Sequence, residues 1–252
     1  GRWSWGACGL PAGGHHGQRV GGRVECLVDV VVVVHERDEQ VLELQRVEQH
    51  AADHHLLVPP GEHRLVGMRD GVAIGSSMGL SPQSGLPHNN RVGDLDSAAV
   101  PFVMKTLGLP LAEAERQMTK EGGLLGLSGV SNDLRDIRAA AQQGNARAQL
   151  ALDVLVHSAR HWIGALFFAL NGADALVFTA GIGENNPDLR AAICADLDQL
   201  GLVLDPAKNA ATRTEGEISA AGSRVKVFVV PANEELVVAR ETRRCILHTA
   251  RN

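Results

Sequence analysis

The sequence of 252 residues contains no tyrosine, and aromatic residues make up only 3% of the chain. Its cysteines, Cys8, Cys26, Cys194 and Cys245, lack paired spacing, so we expect free thiols in a reducing compartment. No apolar run is long enough to cross a membrane, and the start of the chain lacks the apolar segment of a signal peptide. From these absences we expect a cytoplasmic protein that does not bind membranes.

The charges of the chain are nearly balanced and do not indicate a nucleic-acid partner. Lysine and arginine number 24 against 29 acidic residues, a net charge of −5, whereas nucleic acid and anionic membranes attract basic surfaces. Hydrophobic residues make up 44% of the chain and charged residues 21%, as in globular proteins. The length suits one large domain or two modest ones.

Residues 1–67 differ in composition from the rest of the chain. This segment holds seven of the 11 histidines, without metal-ligand spacing, and the first methionine is Met68. An apolar run at 26–34 fits a buried strand or an aggregation-prone one, and residues 36–50 have the pattern of a weakly amphipathic helix. We therefore expect an atypical segment at 1–67, poorly ordered or mis-framed, followed by a domain over 68–252.

The stretch 175–190 combines a strand, a glycine turn and a helix start. Its first six residues are apolar and predict a buried strand, which breaks at the Gly-Ile-Gly sequence beginning at Gly181. Glycine there allows positive φ and the close approach of a ligand. Asn186 and the proline after it have the order of an N-cap and a first helical residue, so a helix is predicted over 187–200. Such a junction can bind a nucleotide, and an ordinary tight β-to-α turn fits equally well.

A single arginine lies in a second loop rich in glycine and small polar residues. Residues 75–87 hold too much glycine, serine and proline for regular structure, and long ordered loops of this kind are often functional. Arg91 follows among small polar residues, and its guanidinium suits the recognition of a phosphate or carboxylate. The alternative is a plain loop that leads into a helix over 97–107, capped by Asp96.

Two strand-to-helix junctions indicate an α/β fold. A helix predicted over 145–171 carries an apolar stripe with a spacing of three and four residues, and the strand at 175–180 follows it. A second buried strand is predicted at 225–230, with a last helix over 236–247. We expect a sheet that is at least partly parallel and flanked by helices.

Six short motifs follow one another in the second part of the chain. They are SMGLSP at 77–82, NRVGDLD at 90–96, KEGGLLG at 120–126, SNDLR at 131–135, VFTAGIGEN at 177–185 and NEEL at 233–236. In combination they resemble the C-terminal domain of acetate kinases, over about residues 68–247. The resemblance implies the actin-like ATPase fold of acetate and sugar kinases, heat-shock ATPases and actin. From the resemblance we expect an α/β domain with a mixed, partly parallel sheet flanked by helices, and an N-terminal domain that is largely missing.

The resemblance also implies a reaction and a role for each matched residue. The reaction is the reversible, Mg²⁺-dependent phosphorylation of acetate by ATP, in a homodimer. Arg91 would stabilise the phosphoryl group, Pro82 would border the acetate methyl group, and Glu234 would help to hold Mg²⁺. Leu134 also fits a pure packing role. The implied nucleotide-binding residues are Asp133, Leu134, Arg135, Gly181, Ile182, Gly183, Glu184, Asn185 and Arg190.

The sequence departs from the family pattern in two places. At 89–94 the chain has NNRVGD where the family usually has GTRSGD, so the motif does not fix which acid is phosphorylated. Residues 1–67 contain no counterpart of the N-terminal motifs NxGSSS and HLGNG. We therefore expect weak nucleotide binding and little turnover, with a non-catalytic nucleotide-binding or dimerising remnant as the alternative. A dinucleotide-dependent oxidoreductase is excluded, because no third glycine follows Gly183 at the required spacing.

Overall fold

One mixed sheet organises the part of the chain that the structure describes. The computed structural model describes residues 30–34, 64–70, 72–212, 214–231 and 242–243. The strands within these residues are β1 Val30–Val34, β2 Leu65–Arg69, β3 Val72–Ser76, β4 Ala175–Phe178, β5 Gly216–Glu217 and β6 Lys226–Val229. They pair in the order β3-β2-β1-β4-β6-β5. Strand β1 is parallel to β2 and β4 is parallel to β6, whereas the other pairs are antiparallel.

Helices flank this sheet, which confirms the predicted α/β class. The described helices are α1 Ala99–Leu107, α2 Leu111–Lys120, α3 Gly123–Ser128, α4 Leu134–Gln142, α5 Ala146–Leu170, α6 Ala180–Asn185, α7 Pro187–Cys194 and α8 Pro206–Ala211, with a 3₁₀ turn at Asp198–Leu200. None of these described helices combines the length and the apolar character that a membrane crossing requires.

Helix α5 forms the centre of the core because one of its faces is apolar along its whole length. The residues buried on this face are Ala148, Ala151, Leu155, Ala159, Ile163, Leu166 and Leu170. The helix begins after Asn145, whose Oδ1 accepts hydrogen bonds from the amides of Arg147 and Ala148, both at 3.0 Å. It ends at Asn171, which has a left-handed φ of 62°. The helix predicted over 145–171 is confirmed.

The strands alternate their side chains between two apolar clusters, one on each face of the sheet. Leu176 and Phe178 belong to the cluster that contains the buried face of α5, and Ala175 and Val177 belong to the other. This is the period of two expected for a sheet buried on both faces. Helix α5 approaches the hairpin of β2 and β3 closely, because Gly67 and Gly75 face each other there.

The segment after β4 differs from the predicted glycine turn. Strand β4 ends at Phe178, two residues earlier than predicted, and the Gly-Ile-Gly sequence lies inside α6. The left-handed residue at this junction is Ala180, with φ of 58°, while Gly181 and Gly183 have no left-handed φ. The sharp turn is therefore made one residue earlier than the glycines, and the chain continues directly as a helix.

The helix predicted over 187–200 is shorter than expected. Helix α7 begins at Pro187, as predicted, but ends at Cys194. The following residue is extended, and Asp196 adopts a left-handed φ of 54°, so the helical hydrogen bonding cannot continue. A 3₁₀ turn occupies the last three residues of the predicted range.

Two further segments, one rich in glycine and one rich in polar residues, contain regular structure. Residues 120–129 include helix α3, with Gly122 as N-cap, Gly129 as a left-handed C-cap and Gly126 inside the helix. Residues 208–223 include most of α8 and strand β5. Helix α8 begins after Asp205, whose Oδ1 accepts from two backbone amides at 2.9 and 3.0 Å.

The strand pairing extends across the domain boundary expected after residue 67. Strand β1 lies between β2 and β4, and its central residue Val32 is fully buried. A run of five valines suits a strand that is paired on both sides. The helices predicted over 36–50 and 236–247 fall outside the described residues, except that Thr242 and Arg243 are helical.

Candidate functional site

The loop that carries Arg91 is fixed by backbone hydrogen bonds to the junction of α2 and α3. The amide of Leu124 donates to the carbonyl of His88 at 2.8 Å, and the amide of Leu125 donates to that of Asn89 at 2.9 Å. On the other side, the amide of Val92 donates to the carbonyl of Met118 at 3.1 Å. Arg91 is half-buried between these anchors. Its main chain is therefore held in place although it belongs to no helix or strand.

Gly123 allows the close contact between α3 and this loop. Its φ is 56°, and an added Cβ would lie 2.1 Å from the carbonyl oxygen of His88 and 2.4 Å from that of Arg91. Both distances are far below van der Waals contact, so only glycine fits here. The KEGGLLG motif thus contributes a backbone surface against which the Arg91 loop packs.

Asp94 closes the same loop and connects it to α5. Its Oδ1 accepts from the amide of Gly85 at 2.8 Å, and its own amide donates back to the carbonyl of Gly85 at 2.8 Å. Its Oδ2 accepts from Nε1 of Trp162 on α5 at 3.1 Å. A cavity of about 500 Å³ opens beside these contacts, between the loop, α3 and the exposed His157 and His161 of α5.

Helix α6 is held by side chains that donate to successive carbonyl oxygens. Nδ2 of Asn185 donates to the carbonyl of Gly181, and Nδ2 of Asn186 donates to that of Ile182, both at 2.9 Å. The guanidinium of Arg190 donates to the next two carbonyls, at 2.8 and 2.7 Å. Six residues with two glycines would not hold a helix in isolation, so these bonds determine its shape.

The Arg91 loop and α6 border one small cavity. This cavity of about 20 Å³ is lined from the loop side by Leu86 and from the α6 side by Ile182 and Gly183, with Phe178 at the end of β4. The structure therefore brings Leu86, which precedes the NRVGDLD motif, next to the VFTAGIGEN motif at the carboxyl end of β4. In open α/β sheets this is the edge at which ligands bind.

The SNDLR motif forms the start of helix α4. Asp133 is its N-cap and accepts from the amide of Arg135 at 2.8 Å. The pKa of Asp133 is lowered from 3.8 to about 2. The larger cause is the hydrogen bonding from the Arg135 guanidinium, and the smaller cause is this backbone hydrogen bond. In return, Asp133 raises the pKa of Arg135. Leu134 is buried in the core, whereas the side chain of Arg135 is 87% exposed.

Arg138 connects α4 to the residues around α6. Its Nη1 donates to Oδ1 of Asn186 at 2.8 Å, and its Nη2 forms an ion pair with Asp188 in the first turn of α7. This side chain therefore links the helix that begins at the SNDLR motif to the residues that follow α6. Sequence reasoning did not identify Arg138, and the only signal in the sequence was its position five residues after the N-cap Asp133.

Of three further expected site residues, one is half-buried, one is buried and one lies outside the described residues. Pro82 is half-buried in the irregular segment between β3 and α1. Arg190 is 1% exposed and bonds to main-chain carbonyls. Glu234 lies outside the described residues. Sequence reasoning also missed Asn209, which is 4% exposed and bonds to Arg190, because its signal is tertiary contact alone.

The acetokinase family model matches residues 33–240 of this chain. The chain is 49% identical to the acetate kinase of Moorella thermoacetica over 178 residues, which cover 71% of this chain and 45% of the relative. It is 43% identical to the acetate kinase of Methanosarcina thermophila over 182 residues, which cover 72% of this chain and 45% of the relative. The chain therefore spans less than half the length of these relatives.

Solved structures give the same result for the fold. The crystal structure of Porphyromonas gingivalis acetate kinase is similar with a TM-score of 0.72 at 31% identity, over 86% of this chain and 49% of that one. A propionate kinase from Francisella tularensis is similar with a TM-score of 0.67 at 31% identity, over 79% of this chain and 53% of that one. The sequence match and the shared actin-like ATPase fold together show that this chain belongs to the acetokinase family.

Proposed function

We propose that this chain is the nucleotide-binding part of an acetate kinase-type phosphotransferase, which forms acetyl phosphate and ADP from acetate and ATP. The observation that carries the proposal is that the acetokinase family model matches residues 33–240, which include both Arg91 and α6. Because the chain covers 45% of its relatives, its activity, its substrates and a homodimeric state are proposals.

The proposed reaction is an in-line displacement at phosphorus. A carboxylate oxygen of acetate forms a bond to the γ-phosphorus, while the bond from that phosphorus to the β,γ-bridging oxygen breaks and its electron pair leaves with ADP. Arg91 would donate hydrogen bonds to the transferred group, because a guanidinium keeps its charge and presents its donors in a fixed plane. Pro82 would border the methyl group of acetate.

The nucleotide would lie against α6 and the start of α4. Gly181 is exposed and has no atom within 4 Å of an added Cβ, which leaves room for a ligand beside its backbone. Asp133 and Arg135 would contact the adenosine, and Leu134 would pack beneath them. Ile182, Gly183, Glu184 and Asn185 would complete the segment beside the phosphates.

Mg²⁺ is the cofactor that we propose. Among the described residues, no group of three or more His, Cys, Asp or Glu side chains could hold a metal ion. Mg²⁺ beside a nucleotide is bound mainly by phosphate oxygens and water, with one or two carboxylates, and we propose Glu234 as a carboxylate ligand. When bound, the ion neutralises charge on the β- and γ-phosphates.

Replacing Gly181 with alanine tests the nucleotide site without damaging the fold. The added methyl group meets no protein atom within 4 Å, and φ is not left-handed, so Gly181→Ala should gain up to about 1 kcal/mol from helix propensity. If a nucleotide lies against this backbone, the methyl group weakens ATP binding by about 10-fold or more, or ~1.4 kcal/mol. Calorimetric titration with ATP and Mg²⁺ measures the affinity, and urea unfolding measures the stability.

Gly164→Ala is the matched control for this experiment. Gly164 is an exposed residue inside α5 that also has no atom within 4 Å of an added Cβ. Its replacement should give the same gain in stability and leave ATP binding unchanged. Equal ATP affinities in the two variants would show that the Gly181 segment does not bind the nucleotide.

A non-catalytic nucleotide-binding or dimerising remnant is the second candidate function. It is favoured by residues 1–67, which lack counterparts of the family's N-terminal motifs. A hydroxamate assay with acetate, ATP and Mg²⁺ separates the two, because it traps acetyl phosphate as it forms. ATP binding without hydroxamate, both in this chain and in a chimera that carries the N-terminal half of a relative, would support the remnant, whereas hydroxamate that depends on acetate and ATP in either protein would support the kinase.

A further inference from the structure

Arg190 is the most deeply buried charged side chain near the proposed nucleotide site. It lies on α7, is 1% exposed, and points into the space between α6 and α8. Four of its hydrogen bonds go to oxygen atoms of the protein itself. Nη1 donates to the carbonyls of Gly183 and Glu184, while Nε and Nη2 donate to Oδ1 and the backbone oxygen of Asn209, at 2.8 and 2.9 Å.

Asn209 fixes the orientation of this guanidinium. Its side chain is buried, accepts from Nε of Arg190, and donates from Nδ2 to the carbonyl of Pro187 at 2.8 Å. Because Pro187 is the first residue of α7, Asn209 connects α8 to the beginning of the helix that carries Arg190. The amide group thus leaves the guanidinium one orientation, with Nη1 toward α6.

We infer that Arg190 and Asn209 are positioning residues that set the backbone of residues 181–185 for nucleotide binding, without touching the nucleotide. Arg190 acts through the carbonyls of Gly183 and Glu184, and Asn209 acts through Arg190. The inference rests on the proposed function, because it requires that this segment binds ATP. It differs from the role implied by family resemblance, in which Arg190 lies among the nucleotide-binding residues.

The variants Arg190→Lys and Asn209→Ala test this inference in the full chain. Lysine keeps the charge but can neither bond to Asn209 through Nε nor reach two carbonyls in a fixed plane. Each variant should weaken ATP binding by about 10-fold, since each removes a buried hydrogen bond that involves a charged group. The double variant should bind ATP at most about 2-fold more weakly than either single variant, because both changes release the same contact.

Arg160→Lys is the matched control. Arg160 also donates to backbone carbonyls of α7, but at its other end, where Nη1 bonds to the carbonyl of Ile193 at 2.9 Å. This variant should lose a comparable amount of stability in urea unfolding and should keep the ATP affinity of the unaltered chain. A general loss of stability would affect all three variants alike, so the comparison separates positioning from folding.

Hydrogen exchange of the ligand-free chain gives a second readout that does not depend on ATP. In Arg190→Lys and Asn209→Ala, backbone amides of 180–186 should exchange at least about 10-fold faster, while those of α5 keep their protection. Unchanged exchange in both variants would overturn the inference, as would ATP binding unaffected by Asn209→Ala. If the unaltered chain binds no ATP, the proposed function fails as well, and this result is distinct from a loss confined to the variants.

Discussion

At the scale of single residues, Gly123 determines where the Arg91 loop can lie. A methyl group at this position would overlap the carbonyl oxygens of His88 and Arg91, and the φ of 56° would be strained in any other residue. We expect Gly123→Ala to lower the free energy of unfolding by roughly 3 kcal/mol or more, because clash and backbone strain add. Urea unfolding followed by circular dichroism measures the loss.

Gly144→Ala separates the clash from the strain. Gly144 also has a left-handed φ, of 88°, but no atom lies within 4 Å of an added Cβ. Its replacement should therefore cost only the strain, on the order of 1 kcal/mol. If the two variants were equally stable, the close approach at Gly123 would contribute nothing and the Arg91 loop would not depend on it.

Asp133 should give the chain a component of stability that depends on pH. Hydrogen bonds from Arg135 lower its pKa to about 2, so the charged form stabilises the fold above the unfolded pKa near 3.8. This contribution is lost as the pH falls from about 4 to 2. Because the pair is exposed to solvent, we expect no more than about 1 kcal/mol.

Asp133→Asn isolates this contribution, since asparagine is also a good N-cap. The difference in unfolding temperature between the unaltered chain and the variant should be largest above pH 5 and approach zero near pH 2. A difference that is constant over this range would mean that the charge of Asp133 does not act on stability.

The residue types of the site were predictable from the sequence, but their contacts were not. Asp133 belongs to a motif that was recognisable in the sequence, and an aspartate at that point is a common N-cap, as it is for α4. Arg190 matched the family pattern, yet nothing in its neighbours along the chain indicates that its guanidinium bonds to Asn209, 19 residues later. Such contacts depend on how α7 and α8 pack, which the local sequence does not contain.

At the scale of helices and strands, the N-cap of α5 is the clearest test. Asn145 binds two amides at the start of a helix of 25 residues that supplies much of the core. Asn145→Ala should cost about 1 kcal/mol, while Asn145→Asp should be close to neutral, because its carboxylate accepts the same bonds and favours the helix dipole. If the two variants unfolded at the same urea midpoint, the capping role of Asn145 would be contradicted.

Helices α5 and α6 show why some elements were predictable and others were not. The apolar stripe of α5 repeats over seven turns, so its period identified both the helix and the buried face. Helix α6 has six residues, two of them glycine, and its local sequence favours a turn. Its carbonyls accept hydrogen bonds from Asn185, Asn186 and Arg190, which lie four to seven residues further along the chain, and Arg190 is itself fixed by Asn209 of α8.

At the scale of the whole molecule, the chain covers less than half the length of the relatives that it matches. In enzymes whose loops or domains close around the substrate, closure completes the arrangement of the reacting groups. In our proposal ATP binding requires α6 and the start of α4, whereas turnover also requires every group that orients acetate. We therefore expect binding and turnover to separate in this chain.

The final prediction measures both properties on one sample. ATP at 100 times its dissociation constant stabilises a protein by about 2.7 kcal/mol, which for a chain of this size raises the unfolding temperature by roughly 5–10 °C. We expect this rise together with hydroxamate formation close to background.

Placing the N-terminal half of the Moorella thermoacetica relative before residue 68 should then restore hydroxamate formation, and Arg91→Ala in that chimera should reduce it by about 1,000-fold. An active chimera that loses nothing on Arg91→Ala would refute the role of this arginine, and a chain that ATP does not stabilise would refute the nucleotide site.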